Sequence, residues 1–375
     1  MLAVGAGGLL YWKQSELPPE PAVRDALYTL IEEESGLSFK TPPKTVRLPE
    51  NELLEKIDQS LTQQYGADGL THRAKAFELL SLLPPGQDLR EQWILALFVG
   101  KLGWLDDTTS TIYLSERLDE TTREGQTTLL RLNTEALLNQ HAPAPDTPLS
   151  DDTNIARDAI HGGLVSALET QLRDPEENLS PLPTSMETER EATLLSLPLY
   201  LHNLIQLPLI QGRDYVLAET KNGASFADIL QEPPTSTLTL LKAPEFSTPP
   251  APTLPPREGT LLEESLGAYV TQLLCERLSD YLVAESLGAT WRGDRYQYFE
   301  TTTGEHLFWI SQWQTTEATQ KMAALLRTET ASSYPTHDRI RFREVITDGT
   351  TLRFANCADQ ATLDELLSPQ SHSTE

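Results

Sequence analysis

The stretch 129-LLRLNTEALLNQH-141 sets the reading of this chain. It reads as one helix carrying a polar pair, Arg131 and Glu135, one turn apart on the same face. Working outward, this helix spans about Asp119 to Gln140 and stops before 142-APAPDTP-148, where prolines cannot continue it. A second helix starts near Ser150 and Asp152, both good capping residues, and runs to Leu172. The spacing of apolar residues predicts further helices over about 22–34, 53–65, 72–83 and 89–102. A short strand is expected at Thr111–Leu114, after a turn rich in Asp and Thr. The segment 40-KTPPKTVRLPENE-52 reads as extended, and the Pro-broken stretch 173–189 as an exposed loop.

Downstream, 191–206 reads as one very apolar helix, and 208–234 as two helices broken at Asn222–Gly223. Six prolines between Pro244 and Pro256 favour an extended connector. Helix is expected again over 261–288. After it the pattern alternates: a hairpin over 294–314 with a turn at 301-TTTG-304, a helix over 315–328, and a second hairpin around 347-TDGT-350. The fold class expected is therefore α+β, mainly helical, with a small C-terminal β-β-α-β-β antiparallel layer.

The chain has 375 residues, 39% of them hydrophobic, which is enough for a substantial core. Its net charge of −26 repels phosphate backbones, so no nucleic-acid partner is expected. Its two cysteines, Cys275 and Cys357, form no zinc-finger spacing, and whether they meet is left open by sequence. The opening run MLAVGAGGLLYW is apolar but shorter than the roughly 20 residues a spanning helix needs. Residues 1–20 are read as a truncated export signal or membrane anchor. That gives a periplasmic, extracellular or membrane-anchored location, with the cytoplasm as the alternative. Its glycines lack the strand and spacing of a phosphate loop. Asp294 and Arg295 read as an ion pair at a hairpin end.

Six blocks in order then carry a resemblance. They are 81-SLLPPGQDL-89, 103-GWLDDTTSTIYL-114, 135-EALLNQH-141, 159-AIHGG-163, the long segment 212–246, and 289-ATWRGDRYQYFE-300. Together, from about Glu32 to about Gln360, the chain resembles an uncharacterised bacterial family of HExxH zinc metallopeptidases with a zincin-like fold. The resemblance implies two zinc-binding histidines four apart on one helix, a general-base glutamate between them, and a third ligand on the next helix. Carried over residue by residue, the first histidine falls on Arg131, the base on Leu132 and the second histidine on Glu135. The intervening residues are Asn133 and Thr134, and the third ligand falls on His161. None keeps its type. Leu132 cannot take a proton, and a guanidinium has no lone pair for a metal.

The resemblance implies a zincin-like helical body over 21–242; the residue pattern adds a Pro-rich connector over 243–259, a C-terminal helix and sheet over 260–366, and a disordered tail over 367–375. The expected role is that of a catalytically inactive homologue, with no catalytic residue, no cofactor and no metal. Its expected partner is a protein or peptide held at the former cleft, with Arg131 and Glu135 pairing as a strut in place of the cation. A shifted hydrolase using Glu135 and His161, with Glu124, Asp158 or Glu169 as the nearest extra carboxylates, is one alternative. A purely structural, envelope-associated protein is the other.

Overall fold

The computed structural model describes residues 20–99, 101–143, 149–172, 185–241, 252–332 and 341–368. The body begins with α1 (Glu20–Ser35), β1 (Lys44–Leu48), α2 (Glu50–Tyr65), α3 (Gly69–Leu79) and α4 (Leu89–Phe98). β2 (Gly103–Asp106), β3 (Thr111–Ser115) and two long helices, α5 (Arg123–His141) and α6 (Asp151–Leu172), follow. Next come α7 (Ser185–Ser196), α8 (Leu199–Gln206), a π turn at Pro208–Gly212, α9 (Arg213–Lys221), α10 (Phe226–Gln231) and a 3-10 turn at Thr237–Leu241. The C-terminal part runs β4 (Thr260–Glu264), α11 (Gly267–Leu278), α12 (Tyr281–Gly288), β5 (Trp291–Thr301), β6 (Gly304–Trp313), α13 (Thr316–Ser332), β7 (Phe342–Asp348), β8 (Thr351–Cys357) and α14 (Gln360–Leu367). The chain is α+β.

Two sheets form. The small one has the order β1-β3-β2, with β1 parallel and β2 antiparallel to β3. Here the segment read as merely extended contains a strand on one side of β3, and 103–106 is a strand on its other side. Helix α5 lies on this sheet through Leu129, Leu132 and Ala136, which join Leu105, Ile112 and Leu114 in a separate small core. The larger sheet is antiparallel throughout, in the order β4-β5-β6-β8-β7. It contains both expected hairpins with α13 between them.

Three expectations needed correction. Residues 260–264 form the edge strand β4 rather than the start of a helix. α11 then opens at Gly267 with φ +78°, and any side chain there would overlap the Asp152 carboxylate. The helix expected to reach 288 breaks at Ser279, after which Asp280 caps α12 by accepting from the Val283 N–H at 3.0 Å. The apolar helix expected over 191–206 is two helices, because Pro198 cannot donate inside one. Helix α14 carries no sequence expectation; Asp359 caps it by accepting from the Thr362 N–H at 2.7 Å.

One core runs through both parts. Ile57, Phe77 and Leu164 of the body share it with Leu273, Trp309 and Phe354. The sheet is also pinned to the end of α3: the Asn356 amide donates to the Leu79 carbonyl at 2.8 Å, and Arg343 donates to the Ser81 hydroxyl at 2.9 Å. Asp294 is the polar centre of this junction. Rather than forming a hairpin-end ion pair, it is fully buried and accepts from Ser265 Oγ, the Leu266 and Gly267 N–H groups and Trp309 Nε1. Cys275 and Cys357 are both free and buried, and burial pushes each thiol up to about 12. No described helix is long and apolar enough to cross a membrane. The opening apolar run, the 173–184 part of the expected loop, the 243–251 part of the connector and the tail from 369 lie outside the described residues.

Candidate functional site

Three of the four positions singled out by sequence stand on α5. The helix starts because the Thr122 hydroxyl accepts from the Gly125 N–H at 3.1 Å. Leu132 is 4% exposed, and a Cβ on Gly103 would meet its Cδ1 at 2.7 Å. The β2 backbone therefore lies directly on Leu132, which acts as core.

Arg131 is half-buried and reaches across to α6, where its Nε donates to Glu169 Oε1 at 3.2 Å. This differs from the expected Arg131–Glu135 strut. Glu135 belongs to the same electrostatic group but answers first to Lys101. Burial pushes the Glu135 carboxyl up; Lys101 and then Arg131 oppose that, while Asp107 and Glu169 add to it. Lys101 is pushed down to about 8, chiefly by burial, with Glu135 opposing and Arg131 and Arg190 reinforcing. Lys101 and Glu135 both keep partial solvent contact.

His161 stands on α6. Burial, then the charge of Arg157, pushes its imidazole down to about 4, so it is neutral at pH 7. No hydrogen bond or ion pair joins it to Arg131 or Glu135 among the described residues. The glycines after it have a packing cause. A Cβ on Gly162 would meet Pro208 Cβ at 2.5 Å, and one on Gly163 would overlap the Gly212 backbone.

A cavity of about 230 Å³ opens beside α6. Leucines, Trp93 and two tyrosines form most of its wall, with Lys101, Asp158, Arg73 and Asp151 as its charged members. Arg73 and Asp151 form a two-pronged pair, Nε to Oδ2 and Nη2 to Oδ1, both at 2.7 Å. Glu264 from β4 stands 3.7 Å from Arg73, and its other oxygen accepts from the Asp151 N–H at 3.1 Å. Burial, then the Asp151 charge, raises the Glu264 carboxyl. Burial alone would disfavour the Arg73 cation, but hydrogen bonding to Asp151 overcomes it and holds Arg73 above its usual value.

Asp158 keeps an exposed edge, yet loss of surrounding water and then the Asp107 charge push it up to about 7, with the Arg157 cation opposing. Between about pH 4 and 7 the folded chain thus holds a proton that the unfolded chain has released. Stability is therefore expected to fall as pH rises through that window. Asp158→Asn is expected to flatten this fall when urea midpoints are compared at pH 4.5 and 7.5. Parallel profiles for the two proteins would reject the assignment. His161 contributes the opposite slope, between about 4 and its ordinary value, in both proteins, so the difference isolates Asp158.

The donor set does not fit zinc. Arg131 offers no lone pair, Leu132 is core, and among the described residues no group of three or more His, Cys, Asp or Glu converges to hold a metal ion. Compared with known proteins, the chain matches no family model, no curated protein and no solved structure. Sequence reading missed Lys101 and the Arg73–Asp151–Glu264 group. Arg73 and Asp151 are 78 residues apart, and no local pattern marks their meeting.

Proposed function

We propose that the chain is a catalytically inactive relative of HExxH zinc peptidases, zincin-like in its helical body, that holds a protein or peptide partner at the α5–α6 face. The observation carrying this reading is the fate of the general-base position: Leu132 is packed into the small core against Gly103. The Arg131–Glu169 pair supports it, since a fixed cation bridges α5 to α6 where the family would use a metal.

The test reinstates the ligands. The triple variant Arg131→His, Glu135→His, His161→Glu supplies two histidines four apart and a third-ligand glutamate, while leaving Leu132 in the core. After zinc exposure and dialysis, elemental mass spectrometry is expected to find about one zinc per chain in the variant and none in the wild type. No zinc in a folded variant would sink the zincin-like geometry. Stoichiometric zinc in the wild type, lost on Glu135→Ala with His161→Ala, would sink the inactive reading.

A further inference from the structure

The cavity beside α6 has a wall chemistry of its own. Its apolar chamber is formed by Leu70, Leu89, Trp93, Leu97, Ile155 and Leu204. Two charged side chains, Lys101 and Asp158, share that wall. Among the described residues neither makes a side-chain hydrogen bond or ion pair, even with the other; the Lys101 ammonium lies 5.5 Å from the Trp104 ring centroid. The remaining charged pair, Arg73 and Asp151, is satisfied internally. Lys101 is half-buried, which disfavours its charged form, and Asp158 is exposed with the Arg157 charge nearby.

Size narrows the ligand. An apolar cavity of about 150 Å³ holds benzene. Pockets for drug-sized molecules begin near 300 Å³. At about 230 Å³ this one suits a single apolar side chain with a short polar head. We infer that the cavity binds a free apolar α-amino acid as its zwitterion, the side chain among the leucines and Trp93, the carboxylate at Lys101 and the ammonium at Asp158. A simple amine would leave Lys101 unpaired, and a simple carboxylate would leave Asp158 unpaired. The direction in which burial moves Lys101, down, agrees with a cation that no anion contacts directly. The residual solvent contact of both gives the ligand its way in. Glu135 competes for Lys101, but Arg131 and Arg190 share that neighbourhood and keep it favourable to an anion. This inference does not depend on zincin-like descent.

Calorimetric titration of the full chain with L-leucine and L-phenylalanine tests it, beside N-acetyl-L-leucine, which lacks the cation, and L-leucinamide, which lacks the anion. Leucine is expected to bind and raise the melting temperature. Each derivative is expected to bind at least about tenfold more weakly, about 1.4 kcal/mol. Lys101→Met should erase the preference for leucine over leucinamide, and Asp158→Asn the preference over N-acetylleucine. Since each variant should still bind a derivative, a misfolded variant is recognised by losing all three ligands, and the wild-type series then decides alone. Failure of both amino acids to bind, or equal binding of the derivatives by wild type, overturns the inference. Binding of a longer peptide without binding of the free amino acids would overturn it too, while leaving the proposed function standing.

Discussion

Gly212→Ala is expected to destabilise the protein by about 3 kcal/mol, read as a shift of the urea midpoint, although it adds only one methyl group. Helix propensity argues the other way: alanine is favoured over glycine by about 1 kcal/mol in a helix. Packing decides the sign. The π turn at Pro208–Gly212 crosses α6 so closely that a Cβ on Gly212 would overlap the Ala159 carbonyl oxygen, and one on Gly163 would overlap Gly212 in return. Backbone meets backbone there, and neither side has a flexible end to move. Relief requires the π turn to lift away from α6, opening a gap beneath Ile160 and Leu164, both fully buried. Gly223→Ala is the control. Gly223 has φ +100° and nothing within 4 Å of its added Cβ, so only the backbone term of about 1 kcal/mol applies. A Gly212→Ala protein as stable as wild type would show that the crossing is looser than described. The functional stake is direct, because α6 carries Asp158, His161 and Glu169.

What the sequence revealed of this crossing was its glycines, not their purpose. The pair in 159-AIHGG-163 reads as a motif remnant, yet it exists to admit the π turn. The same division runs through the fold. Helices α5 and α6 and both C-terminal hairpins were legible because their signals are local: capping residues at Ser150 and Asp152, prolines past the helix end, Asp-Gly in a tight turn. Strands β1, β2 and β4 were not. β1 pairs Lys44 with Thr111, and β4 pairs Glu264 with Tyr296, so each becomes a strand through a distant partner. The helix break at 197–198 was readable from Pro198, but the apolar run masked it.

The candidate site divides in the same way. Arg131 and Glu135 stood out by their i, i+4 spacing, and His161 and Leu132 by resemblance alone. Which acid would meet Arg131 depended on how α6 lies against α5. That approach selects Glu169, 38 residues away, and leaves Glu135 without a direct contact to Arg131, in the field of Lys101. Asp294 shows the cost of a local reading most clearly. Beside Arg295 it looks like half of a surface pair, yet four donors from two segments, 265–267 and Trp309, converge on it in the interior.

Arg73→Met is expected to cost about 3–5 kcal/mol, the usual range when one partner of a buried ion pair is removed and the other is left behind. Methionine keeps much of the packing over Tyr65, whose ring lies 4.9 Å from the guanidinium, so the loss reports charge rather than volume. Two carboxyls, Asp151 and Glu264, would then face each other without a cation, and at least one must take up a proton to stay buried. Stability of the variant should accordingly drop most steeply as pH rises toward 8, where that proton is hardest to keep. Arg73→Lys should recover only part of the loss, because an ammonium cannot make the two-pronged contact with Asp151. Adding Asp151→Asn to Arg73→Met removes one stranded charge and should restore a measurable share; the double-mutant cycle gives the coupling. A loss under about 1 kcal/mol for Arg73→Met, with no pH dependence, would mean that water reaches this group freely. It would also remove the electrostatic floor of the cavity, since the self-satisfied Arg73–Asp151 pair is what leaves Lys101 and Asp158 as the wall's free charges.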